Sequence, residues 1–155
     1  MPNHCYNRVT ISAREGKEDQ FKKLVEIFES DTPFETLYPS PDWPNTPNDK
    51  GELPELREMK NSKGEVFTTT YEFPGGINDD RWYHWRVDNW GTKWEAYDQS
   101  EGDIDKECGY AEFTFNTAWA PAEGIYNAIV EKFPDVGISW FYDEPGCELA
   151  GYLPD

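Results

Sequence analysis

Residues 5–12, CYNRVTIS, alternate: Asn7, Val9 and Ile11 fall on one face, Tyr6, Arg8 and Thr10 on the other. A period of two carried by Val, Ile, Thr and Tyr predicts a strand with Val9 and Ile11 inward. After a turn at Arg14–Gly16, Phe21, Leu24, Val25 and Phe28 recur at i, i+3, i+4 and i+7, one apolar stripe of a helix that ends at Ser30–Pro33. Tyr110–Asn116 is the clearest strand, with Ala111, Phe113 and Phe115 on one face. Pro121 is placed for the first position of the next helix, whose stripe is Ile125, Ile129, Val130 and Phe133. Val136, Ile138, Trp140 and Tyr142 alternate in a further strand, and Gly146–Leu153 adds a short last one.

Between these regular pieces the pattern changes. Seven of the twelve prolines fall from Pro33 to Asn78, among Phe34, Leu37, Tyr38 and Trp43. So aromatic a stretch is an ordered excursion rather than a linker, and the chain 1–155 is expected to be a single domain with an insertion at about 33–78. Within the insertion, Glu55–Lys60 predicts a short helix and Val66–Phe73 a strand or hairpin arm. The following stretch, RWYHWRVDNWGTKW (81–94), holds four of the seven tryptophans. Asp79 or Asp80 is placed to cap a helix that runs through Trp90 and stops at Gly91. Lys93–Asp98 then predicts a strand and Gln99–Gly109 an acidic turn. With the insertion set aside, the order is strand, helix, strand, strand, helix, strand. That is the split unit of an α+β, ferredoxin-like fold, an antiparallel sheet with helices on one face.

Charge narrows the function classes. The 155 residues carry 31 acidic and 14 basic side chains, a net charge of -17. Phosphate backbones and anionic membrane surfaces need Lys and Arg to replace their counterions, so direct nucleic-acid or membrane binding is disfavoured. Such a field draws in basic protein surfaces instead. Aromatic residues make up 16% of the chain, which separates it from disordered acidic sequences. Three cysteines, Cys5, Cys108 and Cys147, show no metal-type spacing, and MPNHCYNRV is not a signal peptide. Reduced thiols and a cytoplasmic location are the simplest expectation.

The candidate chemistry is sparse. Asp98, Glu101, Asp103, Asp105 and Glu107 crowd one segment but miss the spacing of a calcium loop, so they are expected to be solvated partner-binding carboxylates, with Asp143 and Glu144 beside them. His4 and His84 have no further ligands nearby in sequence, so no metal is expected. No phosphate loop or nucleophile motif is present, no cofactor is expected, and no catalytic residue is singled out. The alternative is a small-ligand or enzyme site in which Arg81 or Arg86 anchors an anionic group while Trp82, Trp85 and His84 line a pocket.

Four strings, MPNHCYNRVTI, WRVDNWGTKWEAYD, FTFNTAWAPAEGIY and YDEPGCELAGY, resemble the small phage- and plasmid-encoded proteins that carry a YubB-type ferredoxin-like domain. The resemblance spans nearly the whole chain and is loosest in the proline-rich insertion. It implies a ferredoxin-like core and carriage on a mobile genetic element, and it brings no established catalytic residues. Together with the charge, it leads to the expectation of an accessory protein in the host cytoplasm. Such a protein would bind and inhibit a host nucleic-acid-handling or defence protein through a basic surface, by nucleic-acid mimicry.

Overall fold

A computed structural model describes residues 3–154, so Met1 and Pro2 of the first resemblance string and Asp155 lie outside the described residues. The chain forms two compact units: residues up to Pro39 together with those from Arg86 on, and Ser40–Trp85.

The larger unit is built on β1 (His4–Ala13), whose alternation buries Cys5, Asn7, Val9 and Ile11. It lies at the centre of an antiparallel sheet with β5 (Tyr97–Asp105), β6 (Tyr110–Ala118), β7 (Val136–Glu144) and β8 (Leu149–Leu153), in the order β5-β6-β1-β7-β8. Val9 stands opposite Phe113 on one side and Trp140 on the other, so three strands bring large apolar side chains to one point. The helices α1 (Glu18–Glu29) and α4 (Glu123–Lys132) bury Phe21, Leu24, Val25 and Phe28, and Ile125, Ala128 and Ile129. A short helix α2 (Pro33–Leu37) adds Phe34 and Leu37. Ring centroids run from Phe28 to Phe115 (6.1 Å), from Phe115 to Trp140 (5.6 Å), and from Phe34 to Phe115 (5.7 Å) and Trp90 (5.8 Å). Asn7, a polar side chain buried at the sheet's centre, is satisfied. Asn7 Nδ2 donates to Thr117 Oγ1 at 2.9 Å and to the Cys5 carbonyl at 3.0 Å, and its Oδ1 accepts from Trp140 Nε1 at 2.9 Å. The architecture is α+β and ferredoxin-like, with β8 added at one edge.

The smaller unit has a three-stranded sheet in the order β2-β3-β4, from β2 (Glu55–Lys60), β3 (Val66–Phe73) and β4 (Ile77–Asn78). Its chain continues into α3 (Arg81–Asn89), which ends in the larger unit. Asp79 Oδ1 accepts the Arg81 backbone N–H at 3.3 Å, and Gly91, at φ 90°, closes the far end with its N–H on the Arg86 carbonyl.

Four expectations are corrected. Glu55–Lys60 is a strand rather than a helix, because pairing with the β-rich VFTTTYEF overrides the helix preference of ELREMK. The strand expected at 93–98 starts at Tyr97 and runs through the acidic residues to Asp105, so the turn covers only the last few residues before Tyr110. Carboxylates are poor strand formers, yet they suit an edge strand, where they deter further pairing. The second long helix begins at Glu123, and Pro121 lies before it, its carbonyl accepting the Glu123 N–H. Val130 is 46% exposed, and Ala128 takes its place on the buried stripe.

Candidate functional site

The acidic segment occupies the edge strand β5, and its geometry follows from two irregularities. The register against β6 shifts between Tyr97 and Ser100 and again between Glu101 and Ile104, each time with an extra residue on β5. Asp98 sits at the first with φ 51° and accepts from Asn116 Nδ2 at 3.2 Å. Directly opposed residues share a face, so Glu101, opposite Phe113, lies on the helix-covered face, whereas Asp105, opposite Tyr110, lies on the other. The bulges thus distribute the carboxylates over both faces instead of setting them in one row. Asp105 turns into the chain reversal: its Oδ1 accepts the N–H groups of Cys108 (3.0 Å) and Glu107 (3.1 Å). Those contacts, Cys108 first, hold its carboxyl below the usual carboxylate range.

Asp98, Glu101, Asp103, Asp105 and Glu107 are all exposed. Glu101 also lines a cleft of about 210 Å³ with Glu29 and Asp31, where Glu29 is paired with Lys106 at 3.6 Å. Asp143 is half-buried on β7. Glu144 is 1% exposed and belongs to no outer surface, which corrects its placement among the partner-binding carboxylates. The alternation that buries Trp140 and Tyr142 buries Glu144 too, and its carboxylate accepts the Cys147 backbone N–H. Burial, then the charges of Glu144 and Asp143, raise the neighbouring Cys5 thiol to about 11, while a contact with Thr117 opposes them.

The sequence did not single out a second acidic depression. A groove of about 570 Å³ beside α3 and α4 is lined by Asp88, Glu123 and Glu131, together with Lys132, Tyr38 and Val87. Nothing in sequence spacing brings position 88 to position 123; the fold does. No group of three or more His, Cys, Asp or Glu side chains is arranged to hold a metal ion among the described residues.

The residues of the tryptophan-rich stretch separate. Arg81 makes four side-chain hydrogen bonds within its own unit. Its Nε donates to Asp79 Oδ1 at 2.8 Å, its Nη2 to Asp79 Oδ2 at 2.9 Å and to the Trp43 carbonyl at 3.1 Å, and its Nη1 to the Pro47 carbonyl at 3.2 Å. The guanidinium carbon lies 4.9 Å from the ring centroids of both Trp43 and Phe73. It is therefore a structural cation and not the expected anchor for an anionic ligand. Arg86 packs 4.5 Å from the Trp90 ring centroid and donates to the Lys93 carbonyl at 3.4 Å. His84 is exposed, edge-on to Tyr83 at 5.2 Å, and Trp85 is half-buried. Of the four indoles, Trp90 alone is fully buried, its Nε1 donating to the Tyr38 carbonyl at 2.8 Å, while Trp94 is 37% exposed. Of the residues expected to line a ligand pocket, Trp82 lines a cleft within the smaller unit, with Trp43, Pro44, Thr70, Tyr71 and Asp79.

Residues 89–153 match the family model for the ferredoxin-like domain in Api92-like protein. This span holds β5, β6, α4, β7 and β8; the central strand β1 and helix α1 lie outside it. The chain is also similar in fold to a protein api92 from Yersinia pseudotuberculosis, known from its crystal structure. The TM-score is 0.50 at 10% sequence identity, over 98% of this chain and 93% of that one. At that identity the likeness shows the fold alone. No curated protein sequence matches the chain. No helix among the described residues is long and apolar enough to cross a membrane.

Proposed function

We propose that this chain is an accessory protein of a phage or plasmid, of the YubB-type kind its sequence resembles. In this reading it acts in the host cytoplasm by binding and inhibiting a host nucleic-acid-handling or defence protein. The observation that carries the reading is the edge strand β5 and its turn, which present five exposed carboxylates in a chain of net charge -17. Among them Glu101, Asp103 and Glu107 have no ion pair or side-chain hydrogen bond with any described residue, which leaves their charge available to a partner's Lys and Arg. A field of one sign speeds encounter with an oppositely charged protein and orients it. Because the bulges place these groups on two faces, the contact wraps the sheet edge instead of imitating a regular row of phosphates.

The test begins with a pull-down from a bacterial host and identification of the bound protein. Its affinity for the wild type is then measured at rising salt. Glu101→Gln combined with Asp103→Asn is expected to weaken binding and to flatten the salt dependence. Salt-insensitive binding, or an unchanged affinity in the double variant, counts against a charge-driven contact.

The second reading, a small-ligand module, retains one supporting observation: the aromatic cleft that Trp82 shares with Trp43 and Tyr71.

A further inference from the structure

We propose that this aromatic cleft is a binding site for a methylated ammonium group of the choline or trimethyl-lysine type. The inference rests on the small-ligand reading and is independent of the acidic edge strand. The cleft measures about 360 Å³ and lies wholly within the smaller unit. That volume falls at the lower end of the range for small-molecule sites, about 300–1,000 Å³. Three aromatic side chains reach it from three separate elements: Trp43 from a short 3-10 turn, Tyr71 from β3 and Trp82 from the first turn of α3. Aromatic faces attract a cation through their quadrupole, and rings converging from several directions are the arrangement that recognises quaternary ammonium groups.

Three further observations select the ligand class. First, one of these rings already packs on a cation: the Arg81 guanidinium lies 4.9 Å from the centroid of Trp43, and 4.9 Å from that of Phe73 outside the cleft. Second, an anion gains little here, because Nε, Nη1 and Nη2 of Arg81 all donate to Asp79 or to backbone carbonyls, and Asp79 and Arg81 neutralise one another. The negative field of the chain also opposes an anion and favours a cation. Third, apart from Asp79, the only side-chain hydrogen-bonding group of the wall outside the indoles and Tyr71 is the Thr70 hydroxyl. A primary ammonium brings three donors, for which such a wall offers few acceptors. A trimethylammonium group carries the charge without donors, so it loses little on entry.

The experiment titrates the full chain with tetramethylammonium, choline and Nε-trimethyllysine, read by tryptophan fluorescence and by the NMR shift of the N-methyl protons. 3,3-Dimethylbutan-1-ol, the neutral isostere of choline, is the control. Saturable binding with upfield-shifted methyl protons is expected, weaker by about tenfold for the neutral isostere. Trp82→Ala is expected to lose binding, and Trp82→Phe, which keeps a ring, to retain part of it with an unchanged melting temperature. Choline against Nε-trimethyllysine tells whether the group comes from a small metabolite or a modified side chain. Equal binding of the isostere overturns the ammonium assignment while leaving an apolar ligand site. The absence of any saturable shift overturns the site itself.

Discussion

Nε, Nη1 and Nη2 of Arg81 are all bonded inside residues 40–85, and two rings enclose the guanidinium. A lysine has neither the planar fork nor the stacking surface, so the exchange is not conservative. Arg81→Lys is expected to destabilise the smaller unit by about 2–3 kcal/mol. This is below the ~3–5 kcal/mol of a fully buried pair, because the Arg81 side chain keeps 22% of its surface in water. Hydrogen exchange would show it as faster opening of β3 and β4, with the ferredoxin-like sheet unchanged. The guanidinium also lowers the Asp79 carboxyl from its ordinary value. Stability from a depressed carboxyl is present above its unfolded pKa of about 3.9 and is lost as pH falls through the lower folded value. The pair therefore remains intact at mildly acid pH. Arg81 stood out in the sequence as a scarce cation, but its partners did not. Asp79 is two positions away, whereas Trp43 and Phe73 are brought to it only by folding.

At the scale of elements, the junction of α3 and α4 depends on a close approach. The Gly124 N–H donates to the Trp90 carbonyl at 3.0 Å, and a Cβ at Gly124 would stand 1.7 Å from the Asn89 carbonyl oxygen. In an open helix, Gly→Ala gains about 0.5–1 kcal/mol. Here the sign reverses: Gly124→Ala should cost about 1–3 kcal/mol by forcing the helices apart, read as a lower urea midpoint with an unchanged slope. The sequence predicted these helices through their periodic stripes, as it did β1, β6 and β7, because a face packed against the core must repeat at 3.6 or 2 residues. It failed where a strand has no buried face of its own: ELREMK and the acidic β5 become strands by pairing with the strand that follows each across a short turn, β3 and β6. Likewise, Glu95 accepts the Phe34 and Glu35 N–H groups at 2.8 and 3.0 Å, and so satisfies the start of α2 from sixty residues away. No local pattern announces that contact. The candidate cleft was half visible for the same reason: Trp82 lay in the conspicuous stretch, and Trp43 and Tyr71 did not.

Across the whole molecule, the net charge of -17 opposes compaction through self-repulsion. Raising ionic strength from 0.01 to 0.15 M shortens the screening length from about 30 to about 8 Å. The melting temperature is therefore expected to rise by about 2–4 °C, the shift that about 1 kcal/mol produces at this chain length. A calorimetric scan across that range checks it; a fall in melting temperature would mean that attractive ion pairs outweigh the repulsion. Charge and composition led to the expected class of partner, since they need no fold. Which carboxylates reach solvent was not legible: Glu144, beside Asp143 in sequence, is inside.

The central position of β1 also governs the order in which the protein can fold. Both strands that flank it, β6 and β7, come roughly a hundred or more residues later in the chain. On the ribosome, at about 5–20 residues per second, β1 waits on the order of 5–20 s for its first sheet partner. During that interval Val9 and Ile11 have only α1 to shelter them. A sheet closed by such distant pairings has high contact order and assembles slowly. Its nucleus is therefore expected to form late, after β6 has emerged, with β6 and β7 completing a core that β1 began.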